Sequence, residues 1–441
     1  MTAPTSRRSS DGLRLSRRSV LKLGGLAGVA TLTGCGRGLG GGASGSSGLQ
    51  MMFWGEGDQN TKLIAAINDW QVKDGKTKVD SQYMGLSGYF DKLATRLAGG
   101  NPPDVFQIYL PYLEDYISRG SILPLDEYVD ELGLNTLPSS IMPTVKTNGH
   151  SYFAIVGAAT QPTIEYDQDR LTKYGLKPAS DSWTLDEFKT VMNQVHDASK
   201  GQIHGVSDLG SGAVQLESYM RAFKTPLFDS NGQIAFSQDQ LMEWLKLWDD
   251  LRKNGSCPPM TVTAEATGFQ TDPIVTGKAA YTLTATSRGF PSIQTLTKDH
   301  LGLLQFPRAS ASSRPGTNII PAGWFAISKK SKNVDKAISL LKYLSNDPQA
   351  AKRMGLARGV PLSKVQQAAI SDQLDSQEKQ VFDNYIQVAN QNPSALQMYP
   401  AGSGELLTTS LTNANQSVGF SKASIQQATA QFFADAKRIL K

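Results

Sequence analysis

The chain has 441 residues, with 44 lysines and arginines against 39 aspartates and glutamates and a formal net charge of +5. This length gives a prior of two to three domains and is enough to bury a self-sufficient core. With only two cysteines there is no disulfide framework, and so slight a basic surplus leaves no electrostatic footprint for nucleic acid or an anionic membrane surface.

In chain order the first feature is "SRRSVLKLGGLAGVATLTGC", Ser16 to Cys35. Its uncharged run from Leu23 is about a dozen residues, whereas a helix crossing a bilayer needs about 20. A leading region with Arg7, Arg8, Arg14, Arg17, Arg18 and Lys22, a short apolar stretch and small residues at its end form an export-signal pattern. Ser16 to Lys22 resembles a twin-arginine signal, with Val20 where phenylalanine is usual. Leu32-Thr33-Gly34-Cys35 resembles a bacterial lipobox, which implies acylation of Cys35 and cleavage before it. A chance cysteine after an ordinary secretion signal is the bland alternative. The Gly/Ser-rich run over 36–48 reads as a flexible tether. Without residues 1–34 the chain keeps 38 basic and 38 acidic residues, so the positive charge belongs to the leader. No later stretch strings together enough uncharged apolar residues for a span.

After Gly48, strand-like runs alternate with helical periods, which predicts an α/β fold with buried sheets. "LQMMFW" reads as a buried strand, followed by a helix carrying Leu63, Ile67 and Trp70 on one face. Phe90, Leu93 and Leu97 form a second stripe, closed by Gly99-Gly100. "DVFQI" is a strand after a proline stop. "TLDEF" places a capping box at Thr184 and Glu187. Leu241, Trp244, Leu245, Trp248 and Leu251 give another helix, ended at Gly255. Asn333 is expected to cap a helix bearing Ala337, Ile338, Leu341 and Leu344, and Asp347-Pro348 the next one. Ligands of open α/β sheets bind outside the carboxyl ends of strands. The loops after "LQMMFW", "DVFQI" and "AAYTLT", and the turn around "PAGWFAI", are therefore the places to look for a site.

Four stretches carry a resemblance. They are "GGNPPDVFQIYLPYLEDYISRGSILPLDEYV", "TIEYDQDRLTKYGLKPASDSWTLDEF", "PIVTGKAAYTLTATSRG" and "PAGWFAISKKSKNVDKAISLLKYLSNDPQ". In this order they resemble the family-1 extracellular solute-binding proteins of bacterial ABC transporters, the maltose-binding type. Tyr166-Asp167 stands where Tyr-Asn is usual. The resemblance implies a two-lobed periplasmic-binding-protein-like α/β fold joined by a multi-crossing hinge. Its expected parts are the signal peptide at 1–34, the lipidated Cys35 and tether at 35–48, an N-lobe of 49–162 plus 283–326, and a C-lobe of 163–282 plus 327–441. It further implies a monomer, lipid-anchored outside the cytoplasm, that captures a mono- or oligosaccharide and delivers it to a membrane permease. No cofactor, metal, nucleic acid or catalytic residue is expected.

A sugar site needs aromatic planes together with carboxylates, amides and guanidinium groups for paired hydrogen bonds. The strand-end loops offer Trp54, Glu56, Asp58, Gln59, Tyr109 and Gln161, then Ser287, Arg288, Trp324 and Arg358. Glu56 and Asp58 could instead be solvated loop charges or caps, and Arg288 and Arg358 inter-lobe ion pairs. Trp70, Trp244 and Trp248 fall on apolar helix stripes and are read as core; Trp183 is read as a packing residue beside its capping box. Arg221 and Cys257 are read as structural. The four histidines show no metal-ligand spacing, and no nucleophile elbow or P-loop appears. Two other readings stay open: capture of a polyol or glycerol phosphoester, and an anchored carbohydrate-active enzyme, since paired carboxylates are common in any such chain.

Overall fold

The computed structural model describes residues 48–441 apart from 56–57, 76, 87, 109–111, 148, 267, 392, 398 and 441. The export segment, Cys35, and the candidate residues Glu56 and Tyr109 lie outside the described residues, as does all of the tether except Gly48. The strands are β1 (Leu49–Trp54), β2 (Val79–Met84), β3 (Val105–Ile108), β4 (Lys146–Thr147), β5 (His150–Ser151), β6 (Ala154–Ile155), β7 (Ala158–Gln161), β8 (Thr163–Asp167), β9 (His204–Val206), β10 (Ala279–Thr284), β11 (Leu301–Gln305), β12 (Asn318–Pro321) and β13 (Trp324–Ile327).

Two sheets organise the body. The first runs β2-β1-β3-β13-β6, with β1 parallel to β2 and β3, and β13 antiparallel to β3 and β6. The second runs β11-β8-β10-β9, with β8 antiparallel to both neighbours and β9 parallel to β10. Alternation sorts the first sheet: Leu49, Met51 and Phe53 enter one core, Met52 the other. The second sheet and its helices bury a separate core containing Trp183, Trp244, Trp248 and Cys257.

Between the sheets lies the antiparallel pair β7 and β12, in register from Asn318 opposite Gln161 to Pro321 opposite Ala158. β7 carries the chain from the first sheet to the second, and β12 carries it back. The helix Ser376–Asn390 packs on both of these strands, and the chain then reaches the helices Leu411–Gly419 and Ile425–Ile439 of the second core. The expected exchange points at 283 and 327 do not coincide with this pairing. β11 is hydrogen-bonded along β8 and contributes Leu304 to the second core, so the return comes at β12. The helices Val334–Asn346 and Pro348–Met354 bury Ala337, Leu341 and Ala350 in the first core, so the third crossing follows residue 390.

Most predicted helices form where their periodicity places them. Helix α1 (Asp58–Lys73) buries Leu63, Ile67 and Trp70, and α2 (Tyr89–Ala98) buries Phe90 and Leu93. The box at Thr184 and Glu187 is complete in both directions. Asn333 differs: its side chain makes no cap bond and instead donates to the carboxylate of Asp104 at 3.3 Å. Asp104 also accepts from the Gln50 N–H at 2.8 Å and from the Ser331 hydroxyl at 2.5 Å, and so fastens β1 to the turn before that helix.

Candidate functional site

The carboxyl ends of β1 and β3 and the start of β13 meet at one end of the first sheet, where Trp324 is paired with Ile108. The corresponding end of the second sheet is Thr284 of β10, which runs into the turn Ser287–Gly289. Residues from both ends line one cavity of about 200 Å³. Asp58, Gln59 and Lys62 come from α1, Ser287 and Arg288 from the turn after β10, Leu356 and Gly359 from the loop beyond Met354, and Asp375 and Glu378 from the start of the helix Ser376–Asn390.

Lys62 bridges this cavity, lying 2.9 Å from Asp58 and 3.7 Å from Glu378. Arg288 points its two terminal nitrogens at the carbonyls of Ala322 and Ala357, both at a long 3.5 Å. Its Nε is buried with no acceptor, and no carboxylate among the described residues pairs with it. Burial holds its guanidinium below the ordinary arginine pKa. Ser287 is fully buried, and its hydroxyl accepts from the Thr160 N–H at 3.2 Å, tying the turn to β7. The cavity thus presents carboxylates that accept, a guanidinium that donates and an amide that does both, a set suited to vicinal hydroxyl groups.

Arg358 is not on the cavity surface. It is 1 % exposed and donates to the Trp54 carbonyl at 2.7 Å, Asn60 Oδ1 at 3.1 Å and Gln107 Oε1 at 3.3 Å, with its guanidinium 5.4 Å from the Phe53 ring centre. Burial, reinforced by repulsion from Arg288, pulls its pKa down to about 9. Its backbone is clamped as well, since a Cβ on Gly157 would sit 2.3 Å from the Arg358 carbonyl oxygen. Gly359 holds φ +90 while passing Ala158, a conformation that glycine alone tolerates readily. Arg358 therefore supports the end of β1 from beneath.

Trp54 is half-buried, edge-to-face on Tyr89 at 5.0 Å and beside Phe90, whose ring stacks on Tyr112 at 3.7 Å. Trp324 departs from the expectation of an open stacking face. It is 4 % exposed, packed near Phe153 in the core under α2, and its indole N–H has no acceptor. Gln161 is half-buried at the end of β7, opposite Asn318. The cavity therefore brings together Asp58, Gln59, Ser287 and Arg288 of the predicted set. Trp54 is joined to it only through the Arg358 scaffold.

Sequence reasoning missed the cavity wall at Asp375 and Glu378, although "DSQE" carries the capping-box spacing that the structure completes. It also missed Asn60 and Gln107, which have no signal of their own. Glu165 was missed too: it is fully buried on β8, takes hydrogen bonds from Thr163 (2.8 Å), the Thr284 hydroxyl and the Thr284 N–H (3.0 Å), and burial pushes its pKa up to about 8. A second cavity of about 460 Å³, at the second-sheet side of β12, contains none of the residues singled out from sequence. Among the described residues no three potential ligands converge on a metal position, and no helix is long and apolar enough to cross a membrane.

Known proteins can now be set beside this geometry. A candidate binding protein of Brucella abortus (strain 2308) is 24% identical over 339 residues, covering 71% of this chain and 78% of its own. A periplasmic solute binding protein from Pectobacterium atrosepticum superimposes with a TM-score of 0.79 at 21% identity, over 89% of this chain and 98% of its own. An oligogalacturonide binding protein from Yersinia enterocolitica, in complex with saturated digalacturonic acid, gives 0.75 at 19% identity, over 89% and 100%. Both structures share the two-lobed periplasmic solute-binding fold with this chain. The sequence pattern of the bacterial extracellular solute-binding proteins matches residues 54–351, well over half of the chain, and the protein belongs to that family.

Proposed function

We propose that this protein captures a mono- or oligosaccharide for an ABC importer, holding it between two lobes beside the β7–β12 crossing. The observation that carries the reading is the cavity in which Asp58 and Gln59, from the first sheet's side, face Ser287 and Arg288, from the second. A ligand bound there touches both lobes, so it favours whichever lobe arrangement closes on it. The oligogalacturonide-binding fold relative supports a carbohydrate cargo. In this reading the first lobe is built on β1–β3, β6 and β13 with residues 334–390, and the second on β8–β11 with residues 403–439. The lipobox-like Leu32–Cys35 supports a lipid anchor outside the cytoplasm, and Cys35→Ser is then expected to move the protein from the membrane to the soluble fraction. The test of cargo is a thermal-shift screen of the purified protein across neutral mono- and oligosaccharides, acidic sugars and glycerol phosphoesters. A saccharide recovered intact that raises the melting temperature supports the proposal. Turnover of the sugar, or a response to phosphoesters alone, overturns it.

A further inference from the structure

The cavity of about 460 Å³ has a different chemistry from the one at Arg288. Its charged lining is Arg221, Lys224, Arg314 and a single carboxylate, Glu217. Both oxygens of that carboxylate are already engaged: Arg221 lies 2.6 Å from one, and the Tyr399 hydroxyl donates to the other at 2.6 Å. Arg221 is fixed further by donating to the Gly316 carbonyl at 2.7 Å. Glu217 and Arg221 therefore cancel, and the cavity keeps the two positive charges of Lys224 and Arg314. Lys224 is exposed, sits in a left-handed turn at φ 60, and makes no hydrogen bond or ion pair among the described residues. The rest of the wall is apolar and rigid, with Pro226, Pro315 and Pro393 beside Leu227 and Val388. Pockets for small ligands commonly span about 300–1,000 Å³ and pair such apolar walls with a few fixed polar groups. By contrast, the cavity at Arg288 has three carboxylates, Asp58, Asp375 and Glu378, against Lys62 and Arg288.

We propose that the larger cavity is a binding site for a carboxylate-bearing saccharide, with the acid group at Lys224 and Arg314 and the ring against the three prolines. The choice of a sugar ring rests on the saccharide-capture reading above, while the charge argument stands without it. The cavity borders Thr317, whose hydroxyl donates to the Pro162 carbonyl at 3.0 Å, and Ser394, whose carbonyl accepts from Asn318 at 3.0 Å. Occupancy would therefore be felt where the chain crosses between the sheets.

The test is titration calorimetry of the full protein with glucuronate and digalacturonate, compared with glucose, maltose and glucose 6-phosphate, at low and high salt. Expected is binding of the acidic sugars that weakens with salt. Lys224→Asn, which tolerates the left-handed turn, and Arg314→Gln should each weaken it about tenfold, the scale of one charge-assisted contact, with Lys342→Gln on the remote helix Val334–Asn346 as the unchanged control. Preference for glucose 6-phosphate overturns the carboxylate assignment. Acidic sugars bound equally by both variants overturn the site. Binding of neutral sugars alone overturns this inference and leaves the capture reading standing; no saccharide bound at all overturns both.

Discussion

Arg358 is a buried cation whose partners are all uncharged acceptors: a carbonyl, an amide oxygen and a second amide oxygen. Such a group is held by geometry, because the planar fork meets three acceptors at once, which an ammonium cannot copy. Arg358→Met leaves the Trp54 carbonyl and Asn60 unpartnered, at a cost of about 1–3 kcal/mol for each buried group left unsatisfied. We expect a lower urea midpoint with an unchanged slope, and weaker solute binding as the end of β1 and the start of α1 lose their brace. A destabilised variant with undiminished affinity would reduce Arg358 to a stability role. Glu165 makes a prediction of the opposite electrostatic kind. Its carboxyl is shifted by burial from 4.5 to about 8, against the opposing pull of its Thr284 and Thr163 hydrogen bonds, with Asp272 adding repulsion. Between those two values the folded state holds a proton that the unfolded state has released, so stability falls as pH rises from about 4.5 toward 8 and levels off above. Glu165→Gln copies the protonated form. It should match the parent near pH 5 and exceed it at pH 8 in melting temperature; parallel pH profiles for the two proteins would show that Glu165 is not protonated in the fold.

At the scale of elements, two capping boxes separate stability from function. Thr184 with Glu187 opens a helix of the second core away from the cavity, whereas Asp375 with Glu378 opens the helix whose first turn forms the cavity wall. Replacing either cap by alanine should cost about 1 kcal/mol of stability. Only Asp375→Ala should also weaken solute binding, because it loosens Glu378 opposite Lys62; equal affinity in the two variants would remove that wall from the site. Thr184 and its box were legible in the sequence, as were β1 and α1, because local spacing alone decides them. Three features were not. The antiparallel return of β11 onto β8 is a long-range pairing that no window of sequence contains. Asn333 follows cap chemistry by type, yet Asp104, more than 200 residues earlier, offers it a charged acceptor instead. Trp324 sits beside Gly323 at a strand end, as a stacking residue would, yet alternation along β13 turns it into the core with Ala326. Sequence therefore located the loops of the site better than the side chains that line it.

Across the whole molecule, the argument turns on ligand touching elements that belong to different sheets. A ligand that binds only the folded state adds about 2.7 kcal/mol at a hundredfold excess over its Kd, and a cavity shared by both lobes makes that gain depend on their mutual arrangement. The tryptophans give a way to read this. Trp244 and Trp248 are sealed in the second core, 0% and 1% exposed, and their surroundings do not change when lobes move as rigid bodies. Trp54 is half-buried at the end of β1, braced by Arg358, and its carbonyl ends the first sheet's side of the crossing. A bound saccharide should therefore change the emission of Trp54 and leave that of the core pair alone. Trp54→Phe is expected to abolish the ligand-induced fluorescence change, while Trp248→Phe lowers total emission and keeps the change. If the change survives in Trp54→Phe, the moving reporter lies elsewhere, and the half-buried aromatic group of Trp54, Phe90 and Tyr112 is a packing unit of the first lobe and no part of the ligand's surroundings.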